Sequence, residues 1–326
     1  REETSYRWKK MKQTIIALLV GVALYGCAAQ DSSFSTSPLA IDPHGTSPWT
    51  VRGHIPLNEF VIHSHRGAGD LVPENTLTAF EMGWKLGTVP EADMRTTKDG
   101  ILVAFHDANF KRTVHTNDAE LKKKSVGDLT FAELSQLDVG GWKGPAFEGL
   151  RVPKLSEVFQ AMRGHPERQL CLDFKHVDLR QLAAEVHTYG VSRQIVFATT
   201  NYKILREWKA LLPDSETLLW LAGSDDKVEP RLAELRASGF ADITHLQLHP
   251  KANPKSDSAE PFTISRALIR SLGDEMRSHR ILFMAFPREI TDPKLYWQLL
   301  DLGVASFSTD DPEFALKAVR EYYEQP

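Results

Sequence analysis

The stretch "VPEADMRTTKDGILVAFHD", residues 89 to 107, sets Glu91 and Asp93 two residues apart, passes through an Asp-Gly pair and ends on His106-Asp107. Residues i and i+2 of an extended strand share a face, so both carboxylates project to one side. Oxygen donors held that way suit a hard divalent cation. Asp173, in "LCLDFK", can reach them from a neighbouring strand as a third ligand. Taken alone, an acid-x-acid pair more often makes surface ion pairs, here with Arg95 and Lys98; adding His106 and Asp173 tips the reading to metal. If Asp99 and Gly100 form a two-residue hairpin loop, Lys98 faces Ile101 and Asp93 sits directly across from His106. Glu91, Asp93 and His106 then share one face. A four-residue loop keeps that face, whereas a three-residue loop with a bulge breaks it.

Positioning these groups takes a scaffold, and the chain shows its pattern. Nine strand-like runs follow residue 60: "FVIHSH" (60–65), "EADMR" (91–95), "ILVAFHD" (101–107), "LCLDFK" (170–175), "IVFATT" (195–200), "TLLWLA" (217–222), "ITHLQLH" (243–249), "ILFMAF" (281–286) and "VASFST" (304–309). Helix-like stretches separate most of them, such as "NTLTAFEMGWKLG" with Asn75 as candidate N-cap and Gly87 as candidate C′ residue. Such alternation predicts a parallel sheet, doubly wound or closed as a barrel. Pairing 91–95 with 101–107 as a hairpin leaves eight barrel strands. Residues 108–150 lack the alternation and read as an insertion over one face. In such a barrel chemistry gathers at the C-terminal strand ends. Those ends carry His65-Arg66, Glu91 and Asp93, His106-Asp107, Asp173 and Lys175, and Thr309-Asp310.

Composition narrows the function. A net charge of −4 argues against nucleic-acid binding, and no dinucleotide glycine fingerprint or phosphate loop follows the first strand. Two cysteines, Cys27 and Cys171, imply no disulfide framework. Residues 11–27, "MKQTIIALLVGVALYGC", carry a basic start and a short apolar core too brief to span a bilayer, and read as a secretory signal. They end in a sequence resembling a bacterial lipobox, which makes Cys27 the lipidated residue; an uncleaved anchor or a plain signal peptide is the alternative. Residues 1–10 precede a plausible start at Met11. The Ser- and Pro-rich stretch 28–58 reads as a flexible tether, with the folded domain over 59–326. Together these place a globular domain on the bacterial cell envelope, held to a membrane through an N-terminal lipid.

The motif order resembles the glycerophosphodiester phosphodiesterase family. The matching residues are His65-Arg66-Gly67, Pro73-Glu74-Asn75-Thr76 with Ala79-Phe80, Glu91-x-Asp93, Thr97-x-Asp99-Gly100 and His106-Asp107. "VPKLSEVF", "LDFKH" and "STDDP" follow in order, so the resemblance spans about residues 60–320. It implies a TIM barrel with a small inserted subdomain, and a Ca2+ or Mg2+ site on Glu91, Asp93 and Asp173. It also implies catalytic histidines at His65 and His106 and phosphate-binding groups at Arg66 and Lys175. A phosphodiester monoanion needs its charge neutralised, which two cations and a metal do together. Activating a nucleophile and protonating a departing alkoxide suits two histidines. The expected reaction is hydrolysis of a glycerophosphodiester to glycerol 3-phosphate and an alcohol, by way of the substrate's own 2-hydroxyl and a cyclic phosphate. A lysophospholipase-D-like activity is the related alternative, and a non-catalytic envelope binding module the unrelated one.

Three departures stand out. Asp173 replaces the family's usual Glu, Pro90 sits close before Glu91 with a short spacing from Gly87, and "FMAFPRE" replaces an aromatic-Thr motif on the penultimate strand. Among other residues, His249 and His245 could face the pocket but as lone histidines are more often structural. Trp142 and Phe147 are expected to pack rather than cap the site, Cys171 to fill a buried strand, and "ELKKKS" (120–125) to form a surface turn. Glu74 and Asn75 could orient the site or only start a helix.

Overall fold

A computed structural model describes residues 49–253 and 260–326. The signal, the lipobox at Cys27 and most of the 28–58 tether therefore lie outside the described residues. All nine strand-like runs form strands: β1 Ile62–Ser64, β2 Val89–Thr96, β3 Leu102–Ala104, β4 Leu170–Phe174, β5 Ile195–Thr199, β6 Glu216–Ala222, β7 His245–His249, β8 Leu282–Ala285 and β9 Ser306–Thr309. The sheet runs β1-β9-β8-β7-β6-β5-β4-β2, with β3 beyond, and a β1–β2 pairing closes it. The result is a closed barrel of eight parallel strands with β3 added antiparallel to β2. Met94 of β2 pairs with Ala104 on one edge and Phe174 on the other, so β3 occupies the edge that β1 leaves at Pro90.

The strands are buried on both faces because both are covered. Val89, Cys171, Val196, Ala198, Leu218 and Met284 fill the barrel interior. The outward faces pack beneath helices in two large clusters. The helix Leu77–Lys85 is capped by Thr76, whose side chain accepts from the Ala79 amide at 3.1 Å. Asn75 is therefore not the cap, and its amide is free for the site described below. Gly87 does follow the helix at φ 77°, a left-handed position that glycine adopts without strain.

Two further expectations are corrected. The tether stops short of residue 58: Val51 and Ile55 are fully buried in the core cluster of the C-terminal helix Pro312–Tyr323, and the Tyr323 hydroxyl donates to Ile55 O at 2.6 Å. The hairpin loop is three residues, not two. Thr97 N donates to Ile101 O, and Gly100 takes φ 83°, as a bulged three-residue loop requires. Opposed partners are Met94 with Ala104, and Phe105 N donates to Asp93 O at 2.8 Å, so Asp93 faces Phe105 rather than His106. The wider loop is held by its side chains and by the insertion. Thr97 Oγ1 accepts from Ile101 N, Asp99 Oδ1 accepts from Thr97 Oγ1 and from Phe131 N, and Lys98 N donates to Leu129 O.

The insertion after β3 has a small core of its own, including Phe110, Val126, Leu134 and Val139, joined to the sheet through Val103 and Phe105. Residues 119–123 form a short helix capped by Asp118, where a turn was expected. Pro90 is the second residue of β2, at the end of the β1 ladder and before β4 pairing begins at Glu91, so it breaks no bond.

The helix Leu77–Lys85 lies close enough to β1 that a Cβ at Gly83 would sit 2.4 Å from Gly67 O. In an open helix Gly→Ala stabilises by about 1 kcal/mol. Here Gly83→Ala is expected to destabilise by about 1–3 kcal/mol through overpacking, measured by urea denaturation; a gain in stability would show that the helix can retreat freely.

Candidate active site

Parallel pairing in register does most of the assembly. Asp93 pairs with Asp173 and Glu91 with Cys171, so the three carboxylates lie on one face at the ends of neighbouring strands. One oxygen from each of Glu91, Asp93 and Asp173 falls within 4.8 Å of the others. Lys175, two residues beyond Asp173, returns its ammonium to 2.5 Å from Asp173 and 3.3 Å from Asp93.

The β1 end supplies the other side. After Ser64 the chain turns sharply, with Arg66 at φ 54° and Gly67 at φ 109°. A Cβ at Gly67 would lie 2.5 Å from that of Ala79, so only glycine fits there. Asn75, also at φ 54°, donates from its backbone to Arg66 O at 2.9 Å. Its side chain donates to Asp93 Oδ2 at 2.8 Å and accepts from Asp93 N at 2.9 Å. Strained backbone at two non-glycine residues is thus locked by hydrogen bonds around one metal-type ligand.

Each histidine has a carboxylate behind it. His65 Nδ1 lies 2.5 Å from Asp310 Oδ1, and its Nε2 is 3.7 Å from Glu91. Burial pulls the His65 pKa down, but Glu91 and the Asp310 hydrogen bond outweigh it and hold it above the ordinary value. His106 Nδ1 lies 2.7 Å from Asp107 Oδ1 and its Nε2 3.0 Å from Arg66 Nη2. A carboxylate only accepts and a guanidinium only donates. Nδ1 therefore carries the proton, and Nε2 presents a lone pair. His106 reaches the cleft from beyond β3, after the strand ends at Ala104, and not from across the ladder.

Burial also sets the carboxylates. It pushes the Glu91 pKa up to about 7 and raises that of Asp173. Asp93 goes the other way: His106, Lys175 and the Asn75 hydrogen bond overcome burial and hold it below its ordinary value. Asp93 Oδ1 is buried without a hydrogen bond. Three convergent carboxylates, one with a buried oxygen that has no hydrogen bond and only the Lys175 ammonium 3.3 Å away, fit a hard divalent cation.

The groups line one cleft of about 490 Å³, which His65, Arg66, Glu91, His106, Asp173 and Lys175 all reach. The cleft thus gathers six residues singled out in the sequence, where Asp310, Arg112 and Trp220 had been given no role. Trp220 stacks on His249 at 4.7 Å, and Phe286 meets both His249 and His65 edge-on. His249 therefore lines the cleft as an aromatic wall; burial, then Arg288, lowers its pKa to about 3. His245 lies deeper, beside His63 in the barrel interior. Phe147 packs against Ala68, Val72 and Ala79, and the Trp142 ring lies under the Arg112 guanidinium. Neither is part of the cleft.

The sequence pattern of the glycerophosphoryl diester phosphodiesterase family matches residues 65–271. The chain belongs to that family. Among named relatives of this phosphodiesterase, the glycerophosphodiester phosphodiesterase of Caldanaerobacter subterraneus subsp. tengcongensis is 27% identical over 268 residues, 80% of this chain and 98% of that protein. A human lysophospholipase D is 32% identical over 154 residues, 44% of this chain and 46% of its own length. The same fold appears in a glycerophosphoryl diester phosphodiesterase structure from Silicibacter pomeroyi, with a TM-score of 0.64, 21% identity, and coverage of 80% of this chain and 93% of that one. It appears also in an Oleispira antarctica phosphodiesterase solved with sn-glycerol-3-phosphate, with a TM-score of 0.60, 23% identity, and coverage of 80% and 96%.

The His65 environment predicts a pH effect. Were His65 the acid, it would be required protonated, so kcat/KM is expected to fall as pH rises through a His65 pKa held above its ordinary value. Asp310→Asn removes one of the charges that raises it, so the alkaline limb of the pH–rate profile is expected to move to lower pH. A limb that stays put would show that His65 is not the group titrating there.

Proposed function

We propose that this phosphodiesterase hydrolyses glycerophosphodiesters to glycerol 3-phosphate and an alcohol, with a divalent metal at Glu91, Asp93 and Asp173. The observation that carries this reading is the cleft itself, where two oppositely prepared histidines flank a carboxylate cluster and two phosphate-seeking cations. A bound Ca2+ or Mg2+ would act as a Lewis acid on the phosphoryl oxygens. Arg66 Nη2 and the Lys175 ammonium neutralise the phosphate charge as it builds. As Arg66 turns to the phosphate, its Nη2 releases His106 Nε2, which accepts the proton of the glycerol 2-hydroxyl. The hydroxyl oxygen then bonds to phosphorus, and the bond to the head-group oxygen breaks. His65, held protonated by Glu91 and Asp310, delivers its proton to that departing oxygen. Water opens the cyclic phosphate by the same exchange run in reverse, leaving glycerol 3-phosphate.

The full-length similarity to the Caldanaerobacter enzyme supports this substrate class. The partial similarity to a human lysophospholipase D supports the acylated substrate as the second reading, and the aromatic wall of Trp220 and Phe286 suits a wider range of alcohols. We place the enzyme on the bacterial cell envelope, anchored through a lipid on Cys27; this rests on the signal-like residues 11–27. Expression of the full chain with labelled palmitate is expected to label the wild type and not Cys27→Ser. Equal labelling, or none, would remove the anchor.

The activity is checked by glycerol 3-phosphate release from glycerophosphocholine. EDTA is expected to abolish it, with Mg2+ or Ca2+ restoring it, and His106→Ala to lower kcat by about 10²–10⁴-fold. Activity indifferent to both chelation and the mutation would sink the mechanism. Turnover only of lysophospholipids would leave the site in place and move the substrate. Binding without turnover of either would favour a non-catalytic module.

A further inference from the structure

Two carboxylates stand behind the catalytic groups, and one arginine holds both. Arg112 lies on the inserted segment, five residues after Asp107. Its Nε and Nη2 donate to Asp107 at 2.9 and 2.8 Å, and its Nη1 and Nη2 donate to Glu74 at 2.5 and 2.7 Å. Both edges of the guanidinium fork are therefore filled, with two bidentate pairs using four of its five N–H groups. Each carboxylate has a second partner in the site. Asp107 accepts from His106 Nδ1, and Glu74 accepts from Arg66 Nη1 at 3.0 and 3.2 Å. The Trp142 ring lies 5.9 Å from the Arg112 guanidinium, on the side of the insertion.

We propose that Arg112 is a positioning residue for the reaction: by clamping Asp107 and Glu74 it fixes His106 in its Nδ1–H form and aims Arg66 into the cleft. The inference rests on the activity proposed above, and it explains why that cleft needs the insertion. Glu74, His106 and Asp107 bring ligand-type atoms within 4.8 Å of one another. Without a cation between them Glu74 and Asp107 repel, and the relief is for one to swing away. Losing the Asp107 acceptor frees the imidazole to rotate or change tautomer. Losing Glu74 leaves Arg66 held only through Nη2 to His106 and a 4.0 Å approach of its Nε to Asp93. The trio is no second metal site, because guanidinium groups already occupy both carboxylates and His106 Nδ1 carries a proton. Isolated exposed ion pairs contribute little, but a doubly bidentate arginine is a geometric constraint that no lysine reproduces. Burial alone raises the Asp107 pKa; the hydrogen bonds from His106 and Arg112 overcome it and hold Asp107 well below the usual range, so it stays an acceptor throughout the neutral range.

The test compares full-length wild type, Arg112→Ala, Arg112→Lys, Asp107→Asn and the Arg112→Ala/Asp107→Asn double variant. Two readouts are taken: kcat and KM on glycerophosphocholine with metal supplied, and the ring nitrogen shifts of His106 by 15N NMR. Arg112→Ala is expected to lower kcat by about 10–100-fold, as small misplacements of reacting groups do, and to mix the His106 tautomers. Arg112→Lys, which keeps the charge and loses the fork, is expected to lower kcat about tenfold. In the Asp107→Asn background the further loss from Arg112→Ala should shrink to about threefold or less, since both changes act through one network. Should Arg112→Ala fail to fold, Arg112→Lys carries the same readouts. An unchanged kcat in a folded Arg112 variant, losses that simply multiply, or an unaltered Nδ1–H signature would each overturn the proposal. The NMR arm needs no turnover, so an inactive wild type would defeat the substrate assignment and still leave the clamp decided.

Discussion

Everything at this end of the barrel follows from burying three carboxylates side by side. Asp93 is fully buried and Asp173 nearly so, and Glu91 stands one strand turn earlier on the same face. Removing such charges from water costs several kcal/mol each unless they are paired or hydrogen-bonded. The surroundings are arranged to meet that cost. Lys175 folds back over Asp173 and Asp93, Asn75 satisfies both the backbone and the carboxylate of Asp93, and His65 approaches Glu91. Compensation is incomplete, since Asp93 Oδ1 lacks a hydrogen bond and Glu91 keeps a pKa near 7. That residual deficit of positive charge is what would draw a divalent cation to the cluster.

The same constraint differentiates the two histidines. His65 sits between Glu91 and Asp310, two acceptors, and is driven toward the imidazolium form. His106 sits between Asp107, an acceptor, and Arg66, a donor, which places a proton on Nδ1 and turns Nε2 toward Arg66 as an acceptor. Chemically identical side chains thus acquire opposite proton roles from their neighbours. Holding that asymmetry requires rigid supports. The supports are drawn from different parts of the chain: the β9 end for His65, and the insertion, through Arg112, for His106.

How much of this was legible in the sequence depends on range. Strands and their order were readable because apolar runs alternate with helical ones over the whole domain, and the acids stood out because strand ends rarely carry so many. Local register was not. The Asp99-Gly100 pair favours a two-residue loop, yet Asp99 is recruited by Thr97 and by Phe131 N of the insertion, and the loop widens by one residue. Asn75 read as a helix cap because Asn is a good one, but Thr76 beside it is equally good and leaves Asn75 to Asp93. Trp49 and residues 50–58 looked like linker because they lack periodicity. Only Val51 and Ile55 among them are buried, in a core completed by Tyr322 of the C-terminal helix, and the Tyr323 hydroxyl holds Ile55 O from more than 260 positions away. Arg112 carried no local signal at all; only the fold brings Glu74 and Asp107 to one guanidinium.

The substitution of Asp for the family's usual Glu at position 173 shows how register substitutes for reach. A shorter side chain ought to draw the third carboxylate away from the other two. In this barrel Asp173 is the direct in-register partner of Asp93, on strands that run about 4.8 Å apart. Its oxygens therefore start beside the Asp93 carboxylate without needing an extra methylene. Lys175 binds one Asp173 oxygen at 2.5 Å, and Trp220 Nε1 donates toward the other at 3.4 Å, so the side chain is anchored from both sides. Trp220 in turn stacks on His249 and so ties the carboxylate cluster to the aromatic wall that continues through Phe286 to His65. The wall therefore touches both halves of the cleft, the carboxylate cluster through Trp220 and His65 through Phe286.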